Sequence, residues 1–122
     1  MSDLYEDARG VIQTVRLRGK RVNILFSKAG TYRSGDKHPV RQHDAIVSGR
    51  VDITLNHGGP GASFIQLYPG GSVTIDPDIP HLFYFPVDTV MLEWWGEGDE
   101  PRVEYYPPYR DVVERHLREM KG

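Results

Sequence analysis

Chemistry in this sequence rests on imidazoles and carboxylates, because the chain carries five histidines and no cysteine. The lack of cysteine removes disulfides, zinc-thiolate sites and thiol nucleophiles together. Asp36 and His38 stand two positions apart, and on an extended strand residues at that spacing face the same side. Joined by a second histidine such as His81, they make two imidazoles and one carboxylate. That donor set holds iron(II) or a similar divalent metal while leaving positions open for substrate. Gln42 offers a neutral fourth oxygen. Without a metal, His38 or His81 could serve as general acid or base, since an imidazole titrates near neutral pH and can move a proton at a carbon beside a carbonyl. Asp36 would then orient the ring and stabilise its protonated form. Arg33, and Lys37 beside it, could balance a substrate phosphate or carboxylate, although a solvated loop charge is an equally good reading of Lys37.

The elements that must position these residues are short. Thirteen glycines and nine prolines in 122 residues interrupt the chain too often for long helices and suit many strands joined by turns. Val11 to Val15 and Arg21 to Ser27 form an opening pair around a turn at Gly19-Lys20. Tyr32 to Pro39 reads as a polar loop, broken by Gly35 and Pro39, that feeds a strand at Asp44 to Val47. Arg50 to Leu55 alternates cleanly and pairs across the Asn56 to Gly61 turn with Ser63 to Tyr68. Ser72 to Ile75 is a short strand, the Asp76 to Pro80 stretch delivers His81 into the apolar run Leu82 to Phe85, and Val90 to Trp95 follows. Strands recurring about every ten residues predict a sandwich or barrel in one domain over residues 1–122. Only Arg110 to Met120 has helical periodicity, with Val113, Leu117 and Met120 on one stripe and Glu114 and Arg118 spaced as an ion pair.

Fifteen basic against seventeen acidic side chains give a net charge of -2, which leaves no electrostatic footprint for nucleic acid or an anionic membrane. The expected partners are a small-molecule substrate and a second copy of the chain as a homodimer, because open sheet edges and an apolar helix stripe call for cover. The acidic start of the chain and the lack of an apolar run of membrane length predict a soluble, unprocessed, cytoplasmic protein. Gly58-Gly59-Pro60-Gly61 is a hairpin end, since no Gly-Lys-Ser/Thr follows it, and no Gly-x-Ser-x-Gly elbow is present. The aromatic residues Phe83, Phe85, Trp94, Tyr105, Tyr106 and Tyr109 are expected to be mostly core. Tyr105 and Tyr106 are the better candidates for stacking on a substrate and donating a hydrogen bond to it.

Two segments resemble the paired motifs of the cupin superfamily: His38-Pro-Val-Arg-Gln42-His-Asp-Ala-Ile-Val-Ser-Gly49 and Gly71-Ser-Val-Thr-Ile-Asp-Pro77-Asp-Ile-Pro-His81. In that likeness His38 falls at the second histidine of the first motif and Asp36 at the first. Gln42 falls at the glutamate position, and His81 at the histidine of the second motif. Two of the four usual ligand types are thus replaced. Asp7-Ala-Arg-Gly10, Arg33-Ser-Gly35, Val47-Ser-Gly49 and Ile75-Asp-Pro77 look similar to pieces of the RmlC-like deoxysugar epimerases and 3,4-ketoisomerases. The chain departs from the ketoisomerases at Asp36, where they carry a catalytic histidine. The resemblance implies an all-β jelly-roll barrel with a short C-terminal helix, and it lifts His38 and His81 above His43, His57 and His116, which read as surface residues. It also implies an isomerase- or epimerase-like enzyme acting on a carbohydrate or similar keto compound by histidine acid-base chemistry, with no cofactor. The alternatives are a metal-dependent cupin holding iron, manganese, nickel or zinc on His38, His81 and Asp36 or Gln42, and a non-catalytic binding barrel.

Overall fold

The computed structural model describes residues 3–56, 63–96 and 101–121. Strands β1 (Leu4–Asp7), β2 (Gly10–Leu17), β3 (Lys20–Ser27), β4 (Thr31–Lys37), β5 (Gln42–Ser48) and β6 (Val51–Leu55) make up the first half. Strands β7 (Ser63–Leu67), β8 (Ser72–Ile75), β9 (His81–Phe85), β10 (Thr89–Trp95) and β11 (Glu104–Tyr105) follow, and helix α1 (Pro107–Lys121) closes the chain. They form two antiparallel sheets, ordered β1-β2-β3-β10-β5-β8 and β11-β4-β9-β6-β7. Neighbours such as β3 and β10 or β4 and β9 are far apart in sequence, the pattern of a jelly roll. The all-β fold with one C-terminal helix is as expected, and the strand bounds lie within a few residues of the alternating segments. Among the described residues no helix is long and apolar enough to cross a membrane. The Gly58 to Gly61 hairpin end, with His57, lies outside the described residues.

Period-two alternation builds the interior. Val51, Ile53 and Leu55 of β6, Phe83 and Phe85 of β9, and Ile46 and Met91 of β5 and β10 are all at most 5% exposed and form one apolar cluster.

Four departures from the sequence expectation matter. Tyr32 to Pro39 is not a loop: most of it is β4, whose hydrogen bonds to β9 carry the polar residues into the sheet. Edge strands β1 and β11 also form, too short to leave a periodic signal. His116 is not a surface residue, since its ring packs at 4.7 Å on Tyr32 and it is only partly exposed. The helix begins three residues early because Pro107 and Pro108 occupy its first turn, where their missing N–H groups are not needed. Within the helix Glu114 accepts from Arg110 Nε at 2.9 Å, the i,i+4 pairing realised on its N-terminal side.

Candidate functional site

A bulge in β4 makes the site. Pairing with β9 runs Thr31 to Phe85, Tyr32 to Tyr84, Arg33 to Phe83 and Ser34 to Leu82, then skips Gly35 so that Asp36 faces His81. Strict alternation from Arg33 would turn Asp36 outward; the extra residue resets the phase, so Arg33 and Asp36 both point into the barrel. Ser34 and Gly35 absorb the change at φ of 79° and 75°. Glycine is required at the second position, because a Cβ there would lie 2.7 Å from the Arg110 backbone. Helix α1 and the residue just before it clamp the bulge: Tyr106 N donates to Gly35 O at 2.9 Å and Arg110 Nη1 to Ser34 O at 2.9 Å.

Asp36, His38 and His81 converge. Their ligand atoms lie within 4.8 Å of one another and all three residues are buried. The Nε2 atoms of His81 and His38 lie 3.1 and 3.6 Å from the same oxygen, Asp36 Oδ1. The other ring nitrogens face backbone carbonyls: His81 Nδ1 is 3.0 Å from Ile79 O and His38 Nδ1 is 3.3 Å from Arg102 O. An imidazole donating Nδ1–H to a carbonyl presents an Nε2 lone pair, the orientation that metal-binding histidines adopt. His81 Nε2 is buried and, despite its proximity to Asp36, makes no aligned hydrogen bond. An orphaned imidazole nitrogen beside a second imidazole and an anionic oxygen fits a divalent cation. Burial opposes ionisation of Asp36, but His81, His38 and the Ser34 hydroxyl, 2.9 Å away, outweigh it and hold the carboxyl below its ordinary range.

A cavity of about 270 Å³ opens beside this cluster, lined by Asp36 and His38 but not by His81. Arg33 also lines it; this side chain is 4% exposed, donates Nε–H to Ser27 Oγ at 2.8 Å and leaves its buried Nη2 without a hydrogen-bond partner. Burial and the charge of Arg9 lower the Arg33 guanidinium to about 10, so it stays cationic at neutral pH. Trp95 also lines the cavity, and its buried Nε1 has no hydrogen-bond partner.

The remaining sequence candidates divide. Tyr105 is exposed at the cavity rim under the Arg110 guanidinium. Tyr106 is outside the lining, with its hydroxyl accepting from Asn56 Nδ2 at 2.8 Å. Lys37 points to Glu104 at 3.2 Å on the outer side of β4. Gln42 is 1% exposed and spends its amide nitrogen on two carboxylates, Asp44 Oδ2 at 3.0 Å and Glu93 Oε1 at 2.9 Å. His43 stacks on Trp94 on the opposite face of β5 from Gln42.

Asp44, Glu93 and Arg9 escaped the sequence reading. The first two had a signal: Asp44 is in phase with buried Ile46, and Glu93 lies between the buried Met91 and Trp95 on one face of β10. Arg9 stood only within the Asp7-Ala-Arg-Gly10 likeness, with no role assigned, and its place at the cavity depends on its bonds to Asp7 across a turn, with Nη2 2.6 Å from Oδ2.

No family model matches the chain, and no curated protein matches its sequence. Solved structures do match. The capsular polysaccharide assembling protein CapF from Staphylococcus aureus is 20% identical over 84% of this chain and 31% of that one, with a TM-score of 0.67. A two-residue deletion mutant of Bacillus subtilis oxalate decarboxylase is 12% identical over 99% of this chain and 36% of that one, with a TM-score of 0.76. An RmlC-like cupin from Shewanella frigidimarina is 12% identical over 78% of this chain and 83% of that one, with a TM-score of 0.64. The chain thus spans about a third of the length of the first two. At such identities the likeness speaks for architecture, and the two sheets, their crossovers and the closing helix give this chain the cupin fold.

Proposed function

We propose that this chain is a metal-dependent cupin enzyme in which Asp36, His38 and His81 hold a divalent transition metal and Arg33 clamps an anionic group of a small substrate. One observation carries the reading: two imidazoles, each with Nδ1 at a backbone carbonyl, aim Nε2 at a single carboxylate oxygen. Such a metal would supply Lewis-acid polarisation of a substrate oxygen. The chain's own part is to bind and orient: Arg33 lines the cavity as a buried cation with a hydrogen-bond donor unspent, the chemistry that a carboxylate or phosphate calls for, and Tyr105 stands at the entrance. A small organic acid or an acidic sugar meets these demands; the oxalate of oxalate decarboxylase is such an acid, and the capsular polysaccharide that CapF is named for assembling is a carbohydrate. The metal-free isomerase reading has its own support in the 3.1 Å approach of His81 to Asp36, the spacing of an imidazolium–carboxylate pair.

Elemental analysis separates the two. Protein purified without a metal-affinity tag should carry close to one equivalent of iron, manganese, nickel or zinc, and His81→Ala should abolish it. A folded chain that neither retains nor binds any of these metals would leave the isomerase reading in its place. We also propose a homodimer, covering exposed apolar residues such as Phe64 and Tyr68 around edge strand β7. Light scattering that returns only the 13.9 kDa of one chain would contradict it.

A further inference from the structure

On the sheet containing β3, β5 and β10, two carboxyl groups meet in a setting that the metal site does not explain. Asp44 and Glu93 are directly opposed across the β5–β10 ladder. Asp44 is fully buried, while Glu93 keeps partial exposure and lines the cavity shared with Asp36, His38 and Arg33. The single Gln42 Nε2 reaches both carboxyls, at 3.0 and 2.9 Å, and so ties them together. Asp44 Oδ1 is buried and, with only these donors counted, has no partner.

A fully buried carboxylate and a half-buried one side by side resist being ionised together, and the economical solution is one proton held between them. The surroundings do not neutralise the pair. From β3, the residue opposite Glu93 is the neutral Asn23. From β4, Asp36 adds negative charge; Arg33 on the same strand offsets it, and His81 on β9 favours ionisation only when protonated. Burial, then the Asp44 charge, pushes the Glu93 carboxyl well up. Burial likewise pushes Asp44 up to about 7, against the hydrogen bonds from Gln42 and Glu93.

We propose that Glu93 is the proton donor of the cavity: it shares one proton with Asp44, is held in place by the Gln42 amide, and presents that proton to a substrate lying against Arg33 and the Asp36–His38–His81 cluster. In the transfer, the Glu93 O–H bond breaks as a bond forms from the proton to the substrate's basic atom. The electron pair stays on the Glu93 carboxylate, where the Gln42 N–H stabilises it, and solvent returns the proton after release. Glu93 is the catalytic residue of this set; Asp44 and Gln42 are positioning residues that keep it protonated and aimed. The proposal rests on the substrate-binding reading above, while the proton itself does not depend on a metal.

Carboxyl 13C NMR of the full wild-type chain, labelled in Asp and Glu and treated with a chelator, tests it without any variant. One resonance of the pair should keep its protonated shift at neutral pH, and Glu93→Gln should remove it. Asp44→Asn should move the Glu93 titration back toward the ordinary carboxylate range. Carboxyls that are all ionised at neutral pH overturn the proposal, and so does a retained proton that survives both substitutions. Oxalate, used as a small anionic probe, should shift the Glu93 resonance on addition; a Glu93 signal indifferent to it overturns the donor role. Manganese(II) titration of the same sample reports separately on the metal site. Binding without a retained proton sinks the pair alone, and a retained proton without binding sinks the metal alone.

Discussion

Along β10 the inward side chains run Thr89, Met91, Glu93 and Trp95, and along β5 beside it they run Gln42, Asp44 and Ile46 in the opposite direction. Met91 thus meets Ile46, while Glu93 meets Asp44 and Trp95 meets Gln42. The opposite sheet repeats the split: Phe83 and Phe85 continue the apolar region, and His81 with Asp36 continues the polar one. One half of the barrel interior is therefore close-packed hydrocarbon, which stabilises the fold. The other buries charged and polar groups whose hydrogen bonds are incomplete, which costs stability and leaves a cavity with chemical character. The same strands serve both, so the apolar half acts as the rigid frame that holds the polar half in register.

Substitutions should separate the halves. The largest effect belongs to Phe85→Ala, at 0% exposure in the frame: a loss of about 3–5 kcal/mol in chemical denaturation, enough to threaten folding. Next is Gly35→Ala, which forces a Cβ against the Arg110 backbone and should cost about 1–3 kcal/mol. Because the bulge sets the phase of Asp36, metal retention should fall with it. A Gly35→Ala chain that keeps its metal would detach the site from the bulge.

The acid pair predicts a gain. Asp44 and Glu93 are pushed up on folding, so the folded chain holds more protons than the unfolded chain from the ordinary carboxylate range to about pH 7, and stability falls as pH rises through that window. Asp36 behaves in reverse: its contribution is present above the ordinary range and is lost as pH falls. Asp44→Asn should therefore melt several degrees above the wild type at neutral pH, at about 4 °C per kcal/mol for a domain of this size, with the advantage vanishing in acid. Equal melting temperatures at both pH values would count against the pair. The smallest stability effect is expected from Arg33→Lys, whose ammonium cannot reproduce the guanidinium fork; oxalate binding, read by calorimetry, should weaken by about tenfold while the fold is unchanged.

Much of this was legible in sequence, for identifiable reasons. Period-two alternation in Arg50 to Leu55 and Val90 to Trp95 survives in the strands because each has one buried face. The cluster of Asp36, His38 and His81 was reachable through motif resemblance, although no local pattern reveals that residues 36 and 81 become cross-strand partners. The bulge was not legible: Ser34-Gly35 reads as a break in a loop, and only pairing with β9 makes it part of a strand, while Arg110 of α1, more than seventy residues away, holds its shape. Glu93 was within reach, since a carboxylate in phase with Met91 and Trp95 is an exception to burial that calls for a reason. His116 was misplaced because the helix meets the sheet with a wider face than its apolar stripe, and Tyr32 supplies the ring that covers it.

The most direct test of the metal site is pulsed electron paramagnetic resonance of the chain loaded with manganese(II), which detects nitrogen ligands through their coupling to the metal. We expect the signature of two histidine nitrogens in the wild type and of one in His38→Ala. A bound manganese with no nitrogen coupling, or with coupling untouched by that substitution, would contradict the assignment of Asp36, His38 and His81 as the metal site.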